Sequence, residues 1–292
     1  MKRIALGFLL VALSVCNAAD LKRPVIMGFN PAENAETTEI NGKLFVEYYK
    51  KKTGLDAKTF VATDYTALIE ALRSGQIDFA WLAPFSYVKA EKVADAQVLL
   101  KSVRKGQAFF YSAIITRADK PYKTVEDLKG KNMAWVDPSS TSGHIFPKAN
   151  LLTKKNIDAD KFFGRQIFAG SHDALVLSVI NGTVDAGATF SNDKEGKDGA
   201  WTQFLKTDED RKKVRVLYVT DPITGDTMAS SKKFIAAHKD IVDKTVNLLL
   251  AMGKEDEGKR ILKALYRIDS MVPAKSEDYE SIRAAARVLK ID

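Results

Sequence analysis

The residues best suited to chemistry form a run of hydroxyl side chains within the segment 137–144, which reads DPSSTSGH. A strand is predicted at 132–136, just before this segment, and a helix is predicted after it. In α/β sheets, ligands bind beyond the carboxyl ends of strands, where a helix start offers unpaired N–H groups and positive dipole. The segment therefore predicts an anion site with hydroxyl donors at Ser140, Thr141 and Ser142. A plain helix cap is the alternative, although a cap needs only one serine.

A second predicted helix start carries a histidine, in the segment 170–173, which reads GSHD. His172 can donate a hydrogen bond to an anion there, and the helix dipole disfavours its protonation until a ligand arrives. Tyr65 opens another predicted helix, where its spacing with Leu68 and Leu72 suits a core position as well as a cleft position. A plain surface role is the alternative for His172. Both residues are nevertheless candidates for the cleft.

The sequence gives little support for catalysis. Ser142, His144 and Asp137 are close in sequence, but the segment lacks the G-x-S-x-G turn that exposes a hydrolase serine. Three histidines and one cysteine provide no zinc-binding pattern, and no phosphate-binding loop of the NTPase type occurs. We therefore expect a binding protein without catalytic residues, metal or cofactor. A hydrolase that uses Ser142 is a distant alternative.

The N-terminal residues have the pattern of a secretory signal peptide. Lys2 and Arg3 precede an apolar run at 4–15, and small residues then suit cleavage after Ala18. The run is shorter than the roughly 20 residues of a membrane span. A buried N-terminal helix would not explain the basic residues in front of it. We expect residues 1–18 to be removed on export to the periplasm.

Cys16 is the only cysteine in the chain. The segment 13–16, LSVC, resembles a bacterial lipobox, in which the cysteine becomes lipid-modified. Val15 occupies a place where a small residue is expected, so simple cleavage is favoured over a lipid anchor. In both cases the mature chain has no thiol for a disulfide, and its stability must come from its core.

The charge of the chain suits an anionic ligand without identifying it. There are 45 Lys and Arg residues against 37 Asp and Glu residues, which gives a formal net charge of +8. Many lysines, such as those at 50–52 and 232–233, lie on predicted helix faces and are explained by solvated surface. A nucleic-acid partner is not expected, because basic and aromatic residues are not interleaved and no recognition motif occurs.

Alternating strand and helix patterns predict an α/β fold with largely parallel sheets. Short apolar runs predict strands at 24–29, 58–61, 77–83, 109–116, 132–136, 166–168, 184–189 and 214–219. From residue 235 onward, the spacing of apolar residues is helical. The chain therefore contains enough elements for two domains of ordinary size.

Two polar segments divide the predicted elements into two lobes. The stretch 117–121 predicts a crossing into a second lobe, and the turn at 221–222 predicts the return. Lobe one is then predicted at 19–115 and 220–292, and lobe two at 116–219. Two crossings make a hinge, and a hinged pair of α/β lobes creates a ligand cleft.

Taken together, several segments resemble the phosphate-, phosphite- and phosphonate-binding proteins of ABC importers. These segments are Asp64-Tyr65, the run FAWLAPFSY at 79–87, the hydroxyl-rich segment 137–144 and the segment 170–172. The similarity covers essentially the whole mature chain, and the order of its motifs is quite specific. It implies a two-lobed periplasmic-binding-protein fold, type II-like, whose hinged cleft delivers a ligand to an inner-membrane permease. We also expect a monomer.

The resemblance also implies which residues bind the ligand. The family's oxyanion cradle falls on Ser140, Thr141 and Ser142. Its cleft histidine falls on His172, its lobe-one tyrosine on Tyr65, and an acid that can face a ligand amine on Asp226. An aromatic residue near the first crossing falls on Phe110 or Tyr111. Neighbours on a strand face opposite ways, and the phenol makes Tyr111 the better polar candidate.

One position departs from the family. Members that bind aminophosphonates carry a second acid shortly after the strand that here contains 184–188, and this chain has Asn192 there. If Asn192 faces the cleft, the site lacks a negative charge that would pair with an ammonium group. That departure puts 2-aminoethylphosphonate in doubt and leaves phosphite, phosphate or another alkylphosphonate open. A one-residue shift of the alignment would restore the acid as Asp193.

The same fold would also serve a different role. An extracytoplasmic sensor that presents its ligand to a membrane receptor kinase is the main alternative to a transport protein. Neighbouring genes would separate the two, since a permease and an ATPase accompany one role and a kinase accompanies the other.

Overall fold

The computed structural model describes residues 21–291, which form two lobes, each built on a mixed β-sheet covered by helices. The strands are β1 (Val25–Phe29), β2 (Ala57–Val61), β3 (Phe79–Leu82), β4 (Ala96–Val103), β5 (Phe109–Arg117), β6 (Met133–Trp135), β7 (Gln166–Phe168), β8 (Ala186–Ser191), β9 (Val214–Val219), β10 (Ile223–Thr224), β11 (Thr227–Ser231) and β12 (Ser270–Pro273). The predicted signal peptide at 1–18, with Cys16, lies outside the described residues.

The helices alternate with these strands through most of the chain. They are α1 (Ala35–Thr53), α2 (Tyr65–Arg73), α3 (Pro84–Val93), α4 (Phe146–Lys155), α5 (Ala159–Phe162), α6 (His172–Ile180), α7 (Ala200–Phe204), α8 (Asp208–Lys212), α9 (Lys232–Ala237), α10 (Lys239–Met252), α11 (Asp256–Tyr266) and α12 (Glu280–Leu289). Short 3₁₀ segments lie at Val125–Leu128 and Ser276–Tyr279, and a π-helical turn at Thr141–Ile145 leads into α4.

Polar caps fix the helix starts that face the space between the lobes. The Asp64 carboxylate accepts a hydrogen bond from the backbone N–H of Ala67 at the start of α2. The Ser171 hydroxyl accepts from the N–H of Ala174 at the start of α6. Both caps satisfy backbone donors that the helix itself leaves free, so Tyr65 and His172 sit on well-defined first turns.

Lobe one contains a six-stranded sheet in the order β12, β4, β11, β3, β1, β2. Strands β1, β2 and β3 run parallel, whereas β11 pairs antiparallel with β3 and β4, and β12 pairs antiparallel with β4. Lobe two contains the order β10, β5, β8, β6, β7, with β9 also paired to β5. Here β6 runs parallel to β7 and β8, and β5 is antiparallel to β8, β9 and β10.

The sheets confirm the predicted α/β class but correct the expectation of largely parallel pairing. The strands β4, β11 and β12 were not predicted, and β12 interrupts the C-terminal region that the sequence predicts as helical. All three pair antiparallel in lobe one. Strands β11 and β12 have only five and four residues, which carry little of the periodicity on which strand prediction depends. Strand β4 has eight residues whose burial alternates, so this signal was present in the sequence and was overlooked.

The structure also corrects the predicted positions of the two crossings. Strand β5 belongs entirely to the second sheet, so the first crossing lies at 104–108 and not at 117–121. The return lies at 225–226, after β10, and not at 221–222. The predicted lobe boundaries at 115/116 and 219/220 are therefore displaced. An apolar strand does not reveal which sheet it will join, because the partner is chosen by tertiary packing.

Each lobe buries its own core, and the C-terminal helix spans both lobes. Ile282 and Ala286 of α12 belong to a buried cluster that also contains Ile145 and Phe146 of lobe two. The same cluster includes residues of α2 and α3 in lobe one. This shared packing holds the lobes against each other beside the crossings. None of the helices within residues 21–291 has the length and apolar character needed to cross a membrane.

Candidate functional site

A cavity of about 70 Å³ lies between the lobes and is lined from both of them. A water needs roughly 10–15 Å³ of such space, so the cavity has room for only about five to seven non-hydrogen atoms. The polar residues in its wall are Asn30, Glu33, Tyr65, Arg104, Ser140, Thr141, Ser142, His172, Asn192, Gln203, Asp226 and Tyr266. Apolar and aromatic side chains complete the wall. A small, highly polar ligand fits this space.

The hydroxyl-rich loop forms one wall of the cavity at the start of the π-helical turn. The Ser140 hydroxyl caps that turn by accepting from the N–H of Gly143, at 3.1 Å. The first backbone bond of the turn joins the N–H of Ile145 to the carbonyl of Ser140, which leaves the N–H groups of Thr141 and Ser142 outside the helical pattern. The loop therefore has features of both predicted alternatives, a helix cap and an anion site. Ser140 is the cap, and the next two residues present donors to the cavity.

Gly143 allows this loop to pack tightly against the preceding strand. A Cβ atom at this position would lie 2.4 Å from Cγ2 of Val136 and 2.8 Å from the Ser140 hydroxyl oxygen. The carbonyl of Gly143 also accepts from the N–H of Val136, at 3.0 Å. No larger residue fits without moving the loop, so the glycine is required by close approach.

We expect Gly143→Ala to lower the free energy of unfolding by about 1–3 kcal/mol because the added methyl overpacks the loop. In an unconstrained helix the same change would raise stability by up to about 1 kcal/mol, so the sign distinguishes the two situations. Urea unfolding of the ligand-free protein measures the difference. A variant as stable as the native protein would show that the loop has more room than its contacts indicate.

Thr141 connects the two lobes through its side chain. Its hydroxyl oxygen accepts from the backbone N–H of Phe85, at the start of α3 in lobe one, at 2.8 Å. The hydroxyl proton stays free for an acceptor in the cavity. Next to it, Ser139 accepts from Lys89 Nζ at 3.0 Å through its hydroxyl and from Ser86 through its carbonyl. The loop that bears the donors is thereby fixed to lobe one in this closed arrangement.

His172 also lies in the cavity wall and is 5% exposed. Its Nδ1 is 2.7 Å from the hydroxyl of Thr189, and its backbone N–H donates to the carbonyl of Ala32 in lobe one. Burial lowers the pKa of the imidazole to about 3, and the positive charge of Arg104 acts in the same direction. The ring is therefore neutral at ordinary pH, and Nε2 carries the proton when Nδ1 accepts from Thr189.

An ion pair between Arg104 and Asp226 lies at the hinge and in the cavity wall. The guanidinium donates to the Asp226 carboxylate at 2.6 Å, and each residue comes from a different crossing. Backbone bonds hold the crossings side by side, from Ser102 N–H to the carbonyl of Asp226 and from Gly225 N–H to that of Ala108. Asp226 is thus where the resemblance predicts it, but its charge is already paired.

Two tyrosines supply neutral hydroxyl groups to the cavity. Burial raises the pKa of the Tyr65 phenol, and the negative charge of Asp137 raises it further. Burial likewise raises the pKa of Tyr266 well above its ordinary value, with the charge of Glu33 adding to the effect. The Tyr266 hydroxyl donates to the backbone carbonyl of Asn30 at 2.9 Å. Both phenols keep their protons at every physiological pH.

Two buried polar atoms in the wall have no partner within residues 21–291. They are Nε1 of Trp81, a donor, and Oδ1 of Asn30, an acceptor. Both residues line the cavity, and they are only 2% and 8% exposed. A buried polar group without a partner is costly, so an occupant that accepts from one and donates to the other would relieve the cost. Trp81, which the sequence indicates only as a packing residue, therefore also offers an unpaired donor at the cavity.

Asn192 lines the cavity and Asp193 does not, so Asn192 is the residue of this segment that faces the cleft. The Asn192 amide nitrogen donates to the Asp198 carboxylate at 3.0 Å. Asp193 instead accepts from the backbone N–H groups of Lys197 and Asp198, both at 2.9 Å, and so closes its own turn. At the position where the resemblance implies a second acid, the wall therefore contains an amide.

Tyr111 is the one predicted site residue that the structure does not place in the cavity. Phe110 lines the wall, and the next residue along β5 faces the other side of the sheet. The preference for Tyr111 over Phe110, based on its phenol, was wrong in this respect. The Phe110 ring instead packs beneath the Arg104 guanidinium, 5.7 Å from it.

Several wall residues were not foreseen from the sequence. They are Asn30, Glu33, Arg104, Gln203, Phe190, Phe204 and Tyr266. Asn30 directly follows β1 and Glu33 lies four residues beyond its carboxyl end, a position that could have identified them. Tyr266 and Gln203 come from helix ends without a distinctive pattern. Among residues 21–291, no cluster of His, Cys, Asp and Glu is arranged to hold a metal ion.

Comparison with known proteins places this architecture in one family. A model of the family described as "ABC transporter, phosphonate, periplasmic substrate-binding protein" matches residues 27–279. The chain belongs to this family. The match includes both lobes and both crossings, so it confirms the predicted resemblance. This family comprises extracytoplasmic substrate-binding components of ABC transporters.

Members of this phosphonate-binding family with curated names are similar over most of the chain. The phosphate-import protein PhnD of Mycolicibacterium smegmatis is 29% identical over 272 residues, 87% of this chain and 82% of its own length. The phosphonates-binding periplasmic protein of Escherichia coli is 29% identical over 260 residues, 87% of this chain and 73% of its own length.

Solved structures confirm the two-lobed fold. A binding component of a phosphonate ABC transporter from Pseudomonas aeruginosa superposes with a TM-score of 0.80, at 22% identity and over 92% of this chain and 88% of that one. PhnD1 of Prochlorococcus marinus, solved in complex with methylphosphonate, gives a TM-score of 0.79 at 20% identity, over 92% of this chain and 98% of that one. At these identities the likeness concerns the fold.

Proposed function

We propose that this protein binds a small phosphorus oxyanion, namely phosphite, phosphate or a simple alkylphosphonate, in the cavity between its lobes. The observation that carries the proposal is the loop at Ser140–Ser142, in which the N–H and hydroxyl groups of Thr141 and Ser142 are available to a small ligand in the cavity. Neutral donors converging at a helix start suit a tetrahedral oxyanion. The names of the two curated relatives support the same ligand class.

The charges in the wall favour ligands without an amino group. Asp226 is paired with Arg104 at 2.6 Å, Asn192 contributes an amide, and burial raises the pKa of the Glu33 carboxyl, which favours its neutral form. An ammonium group would have to compete with the guanidinium for the Asp226 carboxylate, and the loss of that pair would leave Arg104 without a counter-ion. Phe110 and Phe190 instead offer aromatic surface to an alkyl group or a hydrogen.

The role we propose is transport rather than catalysis. Nδ1 of His172 contacts Thr189, and the Asp137 carboxylate accepts from the N–H of Ser139 at 2.6 Å. His144 contacts the carbonyl of Pro138 through Nδ1. Within residues 21–291 the Ser142 hydroxyl forms no hydrogen bond with an imidazole or a carboxylate, so it lacks the base that a nucleophilic serine needs. The cavity binds its ligand unchanged, and an inner-membrane permease receives it.

We further propose that the chain acts as a monomer in the periplasm after cleavage behind Ala18. Its lobes meet at the crossings 104–108 and 225–226, which serve as the hinge. Opening requires the bond between Thr141 and the Phe85 N–H to break, whereas ligand binding adds contacts that only the closed form makes. Mass spectrometry of the exported protein reads the cleavage site and any lipid on Cys16.

Titration calorimetry with a matched pair of ligands tests the ligand class. We expect methylphosphonate, phosphite or phosphate to bind, and ethylphosphonate to bind at least about tenfold more tightly than 2-aminoethylphosphonate. A desolvated ammonium would have to compete with Arg104 for Asp226, or ionise Glu33, whose pKa is raised by burial. The pair differs only by the amino group. Equal or tighter binding of the amine would contradict the charge argument, and no binding of any phosphorus oxyanion at millimolar concentration would refute the proposed function.

A further inference from the structure

Glu33 is a carboxyl group in the wall of a cavity that otherwise suits an anion. It follows β1 in lobe one, lines the cavity and is 8% exposed. A space for about five to seven non-hydrogen atoms keeps every wall group close to its occupant. A carboxylate and an oxyanion at such short range repel each other strongly in a partly buried site. The protonation state of Glu33 therefore affects how strongly an oxyanion binds in this cavity.

The surroundings of Glu33 favour its protonated form. Burial raises the pKa of its carboxyl to about 7, and the nearby charge of Asp173 acts in the same direction. Arg267 and the amide of Gln203 offset only part of this effect. A bound anion would add a further negative charge and raise the pKa again.

The other titratable groups of the cavity leave Glu33 as the group that changes charge near neutral pH. His172 is neutral, with its pKa lowered to about 3. Tyr65 and Tyr266 hold their protons because burial raises the pKa of each phenol. Arg104 and Asp226 neutralise each other as an ion pair.

We propose that Glu33 contacts the ligand and shares one proton with it, so that the closed complex contains a single O–H···O bond between its carboxyl and a ligand oxygen. The inference rests on the proposed function and specifies the state in which the ligand is held. A monoanionic ligand brings the proton on its own oxygen to the Glu33 carboxylate. A dianion binds the protonated carboxyl, and the resulting complex is the same. Hydrogen bonds of this kind, with one charged partner, are short and strong.

A shared proton selects oxyanions that can carry or accept a proton near neutral pH. Phosphite, phosphate and alkylphosphonates have a second ionisation in this range, as phosphate groups on proteins do. Above that range both partners are deprotonated, and binding must take one proton from solution. The affinity of the native protein should then fall with increasing pH, by at most about tenfold per pH unit.

Calorimetry in buffers of different ionisation enthalpy measures this proton directly, with methylphosphonate as the ligand at about pH 8.5. We expect the native protein to take up about one proton on binding and Glu33→Gln to take up none. The affinity of Glu33→Gln should also stay constant as the pH is raised further, because its amide donates without a proton from solution. Glu36→Gln, on the exposed first turn of α1, is the matched control and should behave as the native protein does.

The outcomes separate this inference from the proposed function. Native protein that binds methylphosphonate without proton uptake overturns the role of Glu33 and leaves the proposed function standing. Uptake that persists in Glu33→Gln but disappears in His172→Gln assigns the proton to the histidine and overturns it as well. An absence of binding by methylphosphonate, phosphite and phosphate refutes the proposed function itself. The native measurement alone is decisive if a variant fails to fold, which circular dichroism would show.

Discussion

Replacing Arg104 with methionine should weaken methylphosphonate binding by about 2–4 kcal/mol, roughly 30- to 1,000-fold in Kd. The substitution keeps most of the side-chain volume over Phe110 but removes the counter-ion of Asp226. An unpaired carboxylate then faces an anionic ligand across a small cavity, and like charges about 5 Å apart repel by about 3 kcal/mol at an effective dielectric constant near 20. Calorimetry of the purified variant gives the affinity.

A second substitution should restore much of the loss. In Arg104→Met/Asp226→Asn neither charge remains, so the double variant should bind more tightly than Arg104→Met alone. Arg117→Met removes the partner of Asp119 in a surface pair and is the matched control, expected to change affinity by less than about twofold. Unchanged affinity in Arg104→Met would show that Asp226 does not face the ligand.

Replacing Thr141 with valine should weaken binding by about 2–4 kcal/mol. Valine has the same shape, but it removes a donor to the oxyanion and leaves the backbone N–H of Phe85 without the acceptor it has in the closed form. Both losses fall on the ligand-bound, closed state. Thr141→Ser keeps the hydroxyl and should bind within a few fold of the native protein.

A threonine of the adjoining helix provides the control for this substitution. The Thr153 hydroxyl donates to the carbonyl of Ala149 within α4, away from the cavity, so Thr153→Val should leave the affinity unchanged. Equal affinities in Thr141→Val and the native protein would place the ligand elsewhere in the cavity. A loss in Thr141→Ser as large as in Thr141→Val would assign the effect to packing of the threonine methyl.

The local chemistry of the site was predictable because it is encoded in short segments. A strand end, four hydroxyl residues and a glycine identified the loop at 137–144 from its sequence alone, and the structure places Ser140, Thr141 and Ser142 in the cavity wall. Tyr65 and His172 were indicated by helix starts, and the caps at Asp64 and Ser171 explain why. Such signals depend on neighbours a few residues away, which the sequence shows directly.

The features that could not be predicted from the sequence depend on pairing between distant parts of the chain. Whether β5 joins the first or the second sheet is decided by its contacts with β8 and β9, which lie far along the chain. This error displaced both crossings. The neutralisation of Asp226 was equally hidden, because Arg104 lies 122 residues away and meets it only when the crossings pair. To choose between Phe110 and Tyr111 one must know which side of β5 faces the cavity, and the polarity of the two side chains does not show this.

The closed arrangement explains how one small ligand can control a hinge. Phe85 and Ala32 of lobe one bond to Thr141 and His172 of lobe two, and these contacts depend on closure. The unpaired atoms of Trp81 and Asn30 are costs that a suitable occupant removes in the same state. Binding energy therefore shifts the equilibrium from the open form towards the closed form. A permease can recognise the loaded protein by this closed form.

A crystal structure of the protein with methylphosphonate bound tests the central claim most directly. We expect the phosphonate between the lobes, its oxygens within hydrogen-bond distance of the N–H and hydroxyl groups of Thr141 and Ser142, and its methyl group towards Phe110 or Phe190. We also expect an intact pair between Arg104 and Asp226. A phosphonate bound outside this cavity, or one whose oxygens contact none of the donors of the hydroxyl-rich loop, would contradict the proposed binding site.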